Sequence, residues 1–456
     1  MSALVNSPFW PFAVLILGII AVVLMITRWR FHPFAALILA SIFVGLIATG
    51  LPANGDQHRL VTAVELPMLE FGVTAGKIAW VIALAAIIGT AMMESGAAER
   101  IVNWLLATLG ENRAALALLL SGFVLSIPVF FDIVFFLLIP LAIALALKTG
   151  KGFVLYVVVI GGGGAITHSL VPPTPGPLIM AETLQVDLGM TILAGIAMGI
   201  IPALVALMFG RRMNKRLDIP VRVAESNPGK LEHEPGLIIS FLPVVLPIVL
   251  ISLASLLEAF TGSISGWMAF LGNKNIAMAI GTVLAMWLWA RQCKLSPANL
   301  WAATVKPLEI AGIIILITSA GGAFGAMIKH SGIGDAIELA TENFHVHYIL
   351  LAWLISAVMK IAQGSGTVAM ITASSIMFAL IGTGAELPYH PMYILLSIGF
   401  GSLFISWMND SGFWVVAKMS GFTEKEALQT WTVTLAIIAI VGLVQVFLIA
   451  SIFPFK

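Results

Sequence analysis

Charge is what this chain is short of. Of its 456 residues only 10% are Asp, Glu, Lys or Arg, against about 25% in an ordinary soluble domain. The formal net charge of +1 supplies no basic face, so no nucleic acid partner is expected. Cysteine is nearly absent: Cys293 stands alone, which excludes an internal disulfide and any multi-cysteine metal or iron–sulfur centre. No cleavable leader is expected either. The first apolar run, Phe9 to Ile26, is followed by Arg28 and Arg30 rather than preceded by charge and shows no small-residue cleavage pattern, so it reads as a retained span. No Ser-His-Asp order or metal-ligand spacing is evident, so neither an enzyme nor a cofactor is expected. Hydrophobic residues fill the space left, at 60% of the chain. The expected fold is an all-α polytopic membrane protein.

Spanning a bilayer takes roughly 20 apolar residues, and twelve apolar blocks meet or approach that length. Two of them, 114–147 and 347–381, are far too long for one crossing and are interrupted by Ser126-Ile127-Pro128 and by Gln363-Gly364-Ser365-Gly366-Thr367. Each half is short for a crossing, so both blocks read as re-entrant helical hairpins, leaving about ten transmembrane helices. Lys and Arg support the count, because cytoplasmic loops collect them. With the N-terminus outside, seventeen fall on the inner side, including Arg211, Arg212, Lys215 and Arg216, and five on the outer: Arg59, Lys77, Lys274, Lys329 and Lys456. The C-terminus then also lies outside.

Two further blocks cannot be unbroken helices. Gly161 to Gly164 leads into Thr167-His168 and Pro172-Pro173-Thr174-Pro175, and Gly399 leads into Asn409-Asp410-Ser411-Gly412. Irregular backbone at membrane depth is tolerated only where it is enclosed in protein or lines a cavity. The glycine run lacks the Lys-Ser/Thr that completes a phosphate loop, so close helix packing is its reading. The order of elements is the same in both halves. Gly89 through Ser95-Gly96 lines up with Gly325 through Ser331-Gly332, a shift of 236. Each half has five crossings, so the second is expected upside down relative to the first, the inverted repeat of alternating-access carriers. The expected domains are a first repeat at 1–210 (hairpin 114–147, broken helix 153–182), a cytoplasmic linker at 211–236 around Asn227-Pro228-Gly229, and a second repeat at 237–456 (hairpin 347–381, broken helix 392–417).

Ionisable residues inside a membrane cost several kcal/mol unless paired or wetted, so function is their default reading. Asp132, His168, Lys360 and Asp410 all fall in the hairpins or broken blocks. Each has a plain alternative: Asp132 and Asp410 as helix caps, His168 as a donor to glycine carbonyls, Lys360 snorkelling to a helix end. Helix starts at the breaks and tips offer partial positive charge to an anion, while Thr167, Ser365, Thr367, Asn409 and Ser411 carry hydroxyl or amide groups that can hydrogen-bond a ligand. Asp132, His168 and Asp410 are the candidate proton carriers; His168 titrates near neutrality.

The stretches His168 to Pro177, Phe130-Phe131-Asp132, Gly364 to Ala369 and Asn409 to Trp414 together resemble the gluconate permease (GntP) family of proton-coupled carriers. The resemblance runs in order over almost the whole chain. It implies import of gluconate or a related sugar acid by proton symport across a bacterial inner membrane, with periplasmic termini and the fold of elevator-type homodimers. It also places the substrate site at Ser126, Phe131, Asp132, Thr167, His168, Thr174, Gly364, Ser365, Gly366, Thr367, Asn409, Asp410 and Ser411. Two positions depart from the family pattern, which often has Glu at Asp132 and His at Thr174. A sodium-coupled carboxylate carrier would share the architecture, and a channel would also use re-entrant tips.

Overall fold

The computed structural model describes residues 10–49, 51, 58–217, 219–222, 234–333, 336, 347–382, 387–408 and 410–455. Among these there is no strand. The first half comprises α1 (Trp10–Thr27), α2 (Pro33–Ile47), α3 (Arg59–Glu94), α4 (Ala97–Leu109), α5 (Ala114–Leu125), α6 (Phe131–Thr149), α7 (Phe153–Leu170), α8 (Pro175–Thr183) and α9 (Leu188–Arg216). The second comprises α10 (Leu237–Thr261), α11 (Gly266–Gly272), α12 (Lys274–Gln292), α13 (Pro297–Ala303), α14 (Val305–His330), α15 (Tyr348–Gln363), α16 (Gly366–Ile381), α17 (Met392–Gly401), α18 (Ser411–Ser420), α19 (Glu424–Ala427), a π-helical turn at Leu428–Thr432, and α20 (Val433–Ile452).

Seven helical units in the described chain are long and apolar enough to cross a bilayer, or eight if α11 and α12, bent by 60°, form one span. The sequence expectation was ten crossings plus two hairpins. By length, α1, α2 and α17 fall short, and α6 qualifies on its own although it was read as one arm of a hairpin. The interruptions are where the sequence places them. The first long block splits at 126–130, between α5 and α6, and the second at Gly364-Ser365, between α15 and α16. Six residues of the expected linker, 211–216, continue α9, and Asn227-Pro228-Gly229 lies outside the described residues.

One break is shifted. The helix was expected to fail at Thr167-His168, yet both belong to the last turn of α7, and the chain leaves the helix at 171–174. Proline explains the difference: Pro172 and Pro173 have no N–H to continue the ladder, whereas four glycines weaken a helix without ending it. Tertiary packing supplies what propensity lacks. The unit Phe153–Thr183 has 89% of its apolar stretch buried, against 39–50% in the other six, so α7 and α8 are the molecule's central rod. The glycines let neighbours reach its backbone. A Cβ on Gly161 would lie 2.5 Å from the Trp431 ring, and one on Gly163 would lie 2.6 Å from the Leu119 carbonyl oxygen.

The paired Ser-Gly motifs adopt one local geometry. Ser95 and Ser331 end α3 and α14, and Gly96 and Gly332 follow at φ 72° and 84°, a left-handed turn that suits glycine. These two helices pack along one another.

Candidate functional site

Four helices begin at one cavity. Its volume is about 390 Å³, and its lining includes Phe131 and Asp132 from the first turn of α6, Pro175 from α8, Gly366 and Thr367 from α16, and Ser411 and Gly412 from α18. The first N–H groups of a helix have no intrahelical acceptor and carry the positive end of the helix dipole, so such a convergence favours an anion. His168 from the end of α7, Ile310 and Ile314 of α14, and Trp431 with Leu435 complete the wall.

Two of these starts, those of α16 and α18, are capped by side chains. Gly364 takes φ 83° after α15, and the Ser365 hydroxyl caps α16 by accepting from the Val368 amide at 3.3 Å. Asp410 caps α18 in the same way, with Oδ1 accepting from the Gly412 amide at 3.0 Å. Its other oxygen accepts from Lys360 Nζ at 2.6 Å and from the Ser406 hydroxyl. Lys360 also donates to the Gly364 carbonyl at 2.7 Å. Ser406 in turn accepts from the Trp431 indole at 2.8 Å, and the Trp431 ring stacks on Phe131 at 5.4 Å. Lys360 and Asp410 are 5% and 8% exposed, so this is a buried ion pair in which both members make further hydrogen bonds, as a tolerated buried pair requires.

The opposite wall is open by comparison. Among the described residues Asp132 has no hydrogen-bond or ion-pair partner, and the buried His168 Nδ1 has none either. Phe130 meets the His168 ring edge-on at 6.4 Å. The expected cap role for Asp132 does not appear, because the N-cap of α6 is Phe130.

Of the thirteen residues expected at the site, eight line this cavity: Phe131, Asp132, His168, Ser365, Gly366, Thr367, Asp410 and Ser411. Four do not. Thr167 donates to the carbonyls of Phe123 at 2.8 Å and Gly163 at 3.0 Å, and Thr174 to those of Val171 at 2.7 Å and His168 at 3.0 Å. Ser126 is fully buried against α7, facing Gly164, with its hydroxyl unpartnered. Gly364 lends its carbonyl to Lys360. These four brace the tip and break from behind. Asn409 lies outside the described residues. Trp431, Ile310 and Ile314 escaped sequence reasoning because apolar residues on apolar helices give no signal of what they face. The buried Gln363 amide, unpartnered at both ends beside the second tip, was legible only as part of an interruption.

Comparison with known proteins identifies the family. The family model described as GntP family permease matches residues 10–452. The chain is 32% identical to a gluconate permease of Pseudomonas aeruginosa over 95% of its own length and 96% of that protein's. It is 31% identical to the D-serine transporter DsdX of Escherichia coli, over 98% and 100% respectively. Among solved structures it is similar to the YdaH transporter of Alcanivorax borkumensis, with TM-score 0.63 at 15% identity, covering 95% of this chain and 99% of that one, a likeness of fold alone. Several apolar helices, a cavity ringed by helix starts and a full-length family match lead to one statement: the chain belongs to the GntP family of permeases, a multi-pass membrane transporter and not an enzyme.

Proposed function

We propose that the protein is a secondary carrier for a sugar acid such as gluconate, driven by proton symport in a bacterial inner membrane. The observation that carries this reading is the meeting of four helix first turns at one cavity, which suits a carboxylate, beside the hydroxyls of Thr367 and Ser411, which suit a polyol. Asp132, flanked by Phe130, Phe131, Phe135 and Phe136, is the proton carrier on this reading. His168 contacts the substrate, and Asp410 is held by Lys360. The two hairpins and two broken helices move as one body past the other helices, in two inverted repeats, 1–210 and 237–456 about the linker, with a homodimer holding the fixed part and both termini outside. One proton entering with a monocarboxylate moves no net charge, so the pH gradient drives that exchange, at about 1.4 kcal/mol per pH unit, and each further proton would add about 2.3 kcal/mol at 100 mV.

The test is uptake into proteoliposomes. Labelled D-gluconate is expected to accumulate when the outside is acidified, with or without sodium. Accumulation that needs sodium at fixed pH would replace the proton with sodium, and flux without counterflow would replace the carrier with a channel. The name of the D-serine relative makes D-serine the second compound to try: uptake of it alone would move the substrate from hydroxy acids to amino acids.

A further inference from the structure

A second polar cavity lies in line with the first. Its volume is about 200 Å³, and it sits between α3, α8, α14 and α16, three of which also wall the central cavity. On α14 the central cavity takes Ile310 and Ile314 and the second takes Gly322 and His330. Ile314 and Gly322 are eight residues apart, about 12 Å at 1.5 Å per residue. The septum between them is packed solid. Met370 fills the place a Cβ on Gly176 would need, 2.2 Å away, and Ile371 does the same at Gly321, at 1.8 Å.

The charges of this second cavity do not cancel. It contains Glu70, Lys77, Glu182, Lys329 and His330. Both acids are already engaged, Glu70 with His330 at 3.1 Å and Glu182 with Lys274. Lys77 and Lys329 make no direct ion pair with a carboxylate among the described residues, although both act on Glu70 across the cavity; the Lys329 ammonium rests 4.5 Å from the Phe378 ring centre. With Lys274 counted, three lysines face two carboxylates, and a positive excess in a concave site attracts an anion, with the hydroxyls of Thr74 and Thr183 beside it. At about 30 Å³ per water, the volume holds about six waters or one small hydroxy acid.

We propose that this cavity is a second carboxylate site, the vestibule where substrate is captured on the far side of the Met370–Ile371 septum. The proposal rests on the carrier reading above. Lys77 and Lys329 bind the carboxylate, and movement of α8 and α16 relative to α14 opens the septum.

The test places one thiol in each cavity of the full-length protein, Thr183→Cys or Thr367→Cys in a Cys293→Ser background. At Thr183→Cys an anionic methanethiosulfonate is expected to react faster than a cationic one, and D-gluconate is expected to protect. Lys77→Gln with Lys329→Gln should cut the anionic preference about tenfold and abolish protection, while Lys77→Arg with Lys329→Arg restores both. Equal rates with and without the lysines, or protection that survives their loss, would overturn the proposal. Protection of Thr367→Cys but not Thr183→Cys leaves the carrier reading standing and removes the vestibule. Protection at Thr183→Cys by another hydroxy acid but not by gluconate keeps the vestibule and removes gluconate. No protection there by any carboxylate removes the site.

Discussion

The two walls of the central cavity come from different halves of the chain and are finished differently. On the wall from the second half, Asp410 accepts from Lys360, Ser406 and the Gly412 amide, and Ser406 is fixed in turn by Trp431. On the wall from the first half, Asp132 and the His168 Nδ1 have no such partners among the described residues. A carboxylate whose valences are filled is an anchor. One whose valences are free is available to a ligand or a proton, so under the proposed carrier reading Asp410 is held in place while Asp132 is left free to act.

The comparison is broken most severely by removing half of the anchor. Lys360→Met leaves Asp410 charged and buried, which costs about 3–5 kcal/mol. Thermal or denaturant unfolding in detergent should show the loss, and Lys360→Met combined with Asp410→Asn should recover most of it. A single variant as stable as the wild type would mean that the pair is no anchor. Next in size is the free wall. Asp132→Asn is expected to keep stability and substrate exchange but to lose accumulation driven by a pH gradient, which at one proton per monocarboxylate is about tenfold per pH unit; His168→Gln should weaken binding more than coupling. Accumulation that survives Asp132→Asn and vanishes in His168→Gln exchanges the two roles. The smallest effect sharpens the boundary between the walls. Trp431→Phe preserves an aromatic ring on Phe131 and loses the Ser406 hydrogen bond, about 1 kcal/mol. A fall in substrate affinity at unchanged stability would instead put Trp431 in contact with substrate.

How much of this the sequence discloses follows from what each residue must escape. Glycine, proline and polar groups inside apolar blocks stand out against their surroundings, so the tips at 126–128 and 363–367 and the polar residues Asp132, His168 and Asp410 are legible. Which way a residue faces is not. Thr167 and Thr174 turn from the cavity to backbone carbonyls: Thr174 to those of Val171 and His168 close by in the chain, and Thr167 in part to that of Phe123 on another helix, a partner no local pattern discloses. Lys360 is readable as a buried cation, yet its partner lies 50 residues on. The exact end of α7 escapes because glycine's low propensity argues for a break that packing on every side of the rod overrides.

The turn at Leu428–Thr432 deserves its own consequence. A π-helical turn accommodates one residue more than the α-helix around it, and this one carries Trp431 into the wall. Deleting a single residue there would restore ordinary winding and rotate the preceding segment by about 100°, exchanging Trp431 for a neighbour without altering any other letter of the chain. Cavity chemistry in this fold is therefore open to revision by length as well as by substitution. A change in what the cavity accepts need not leave a changed side chain to mark it.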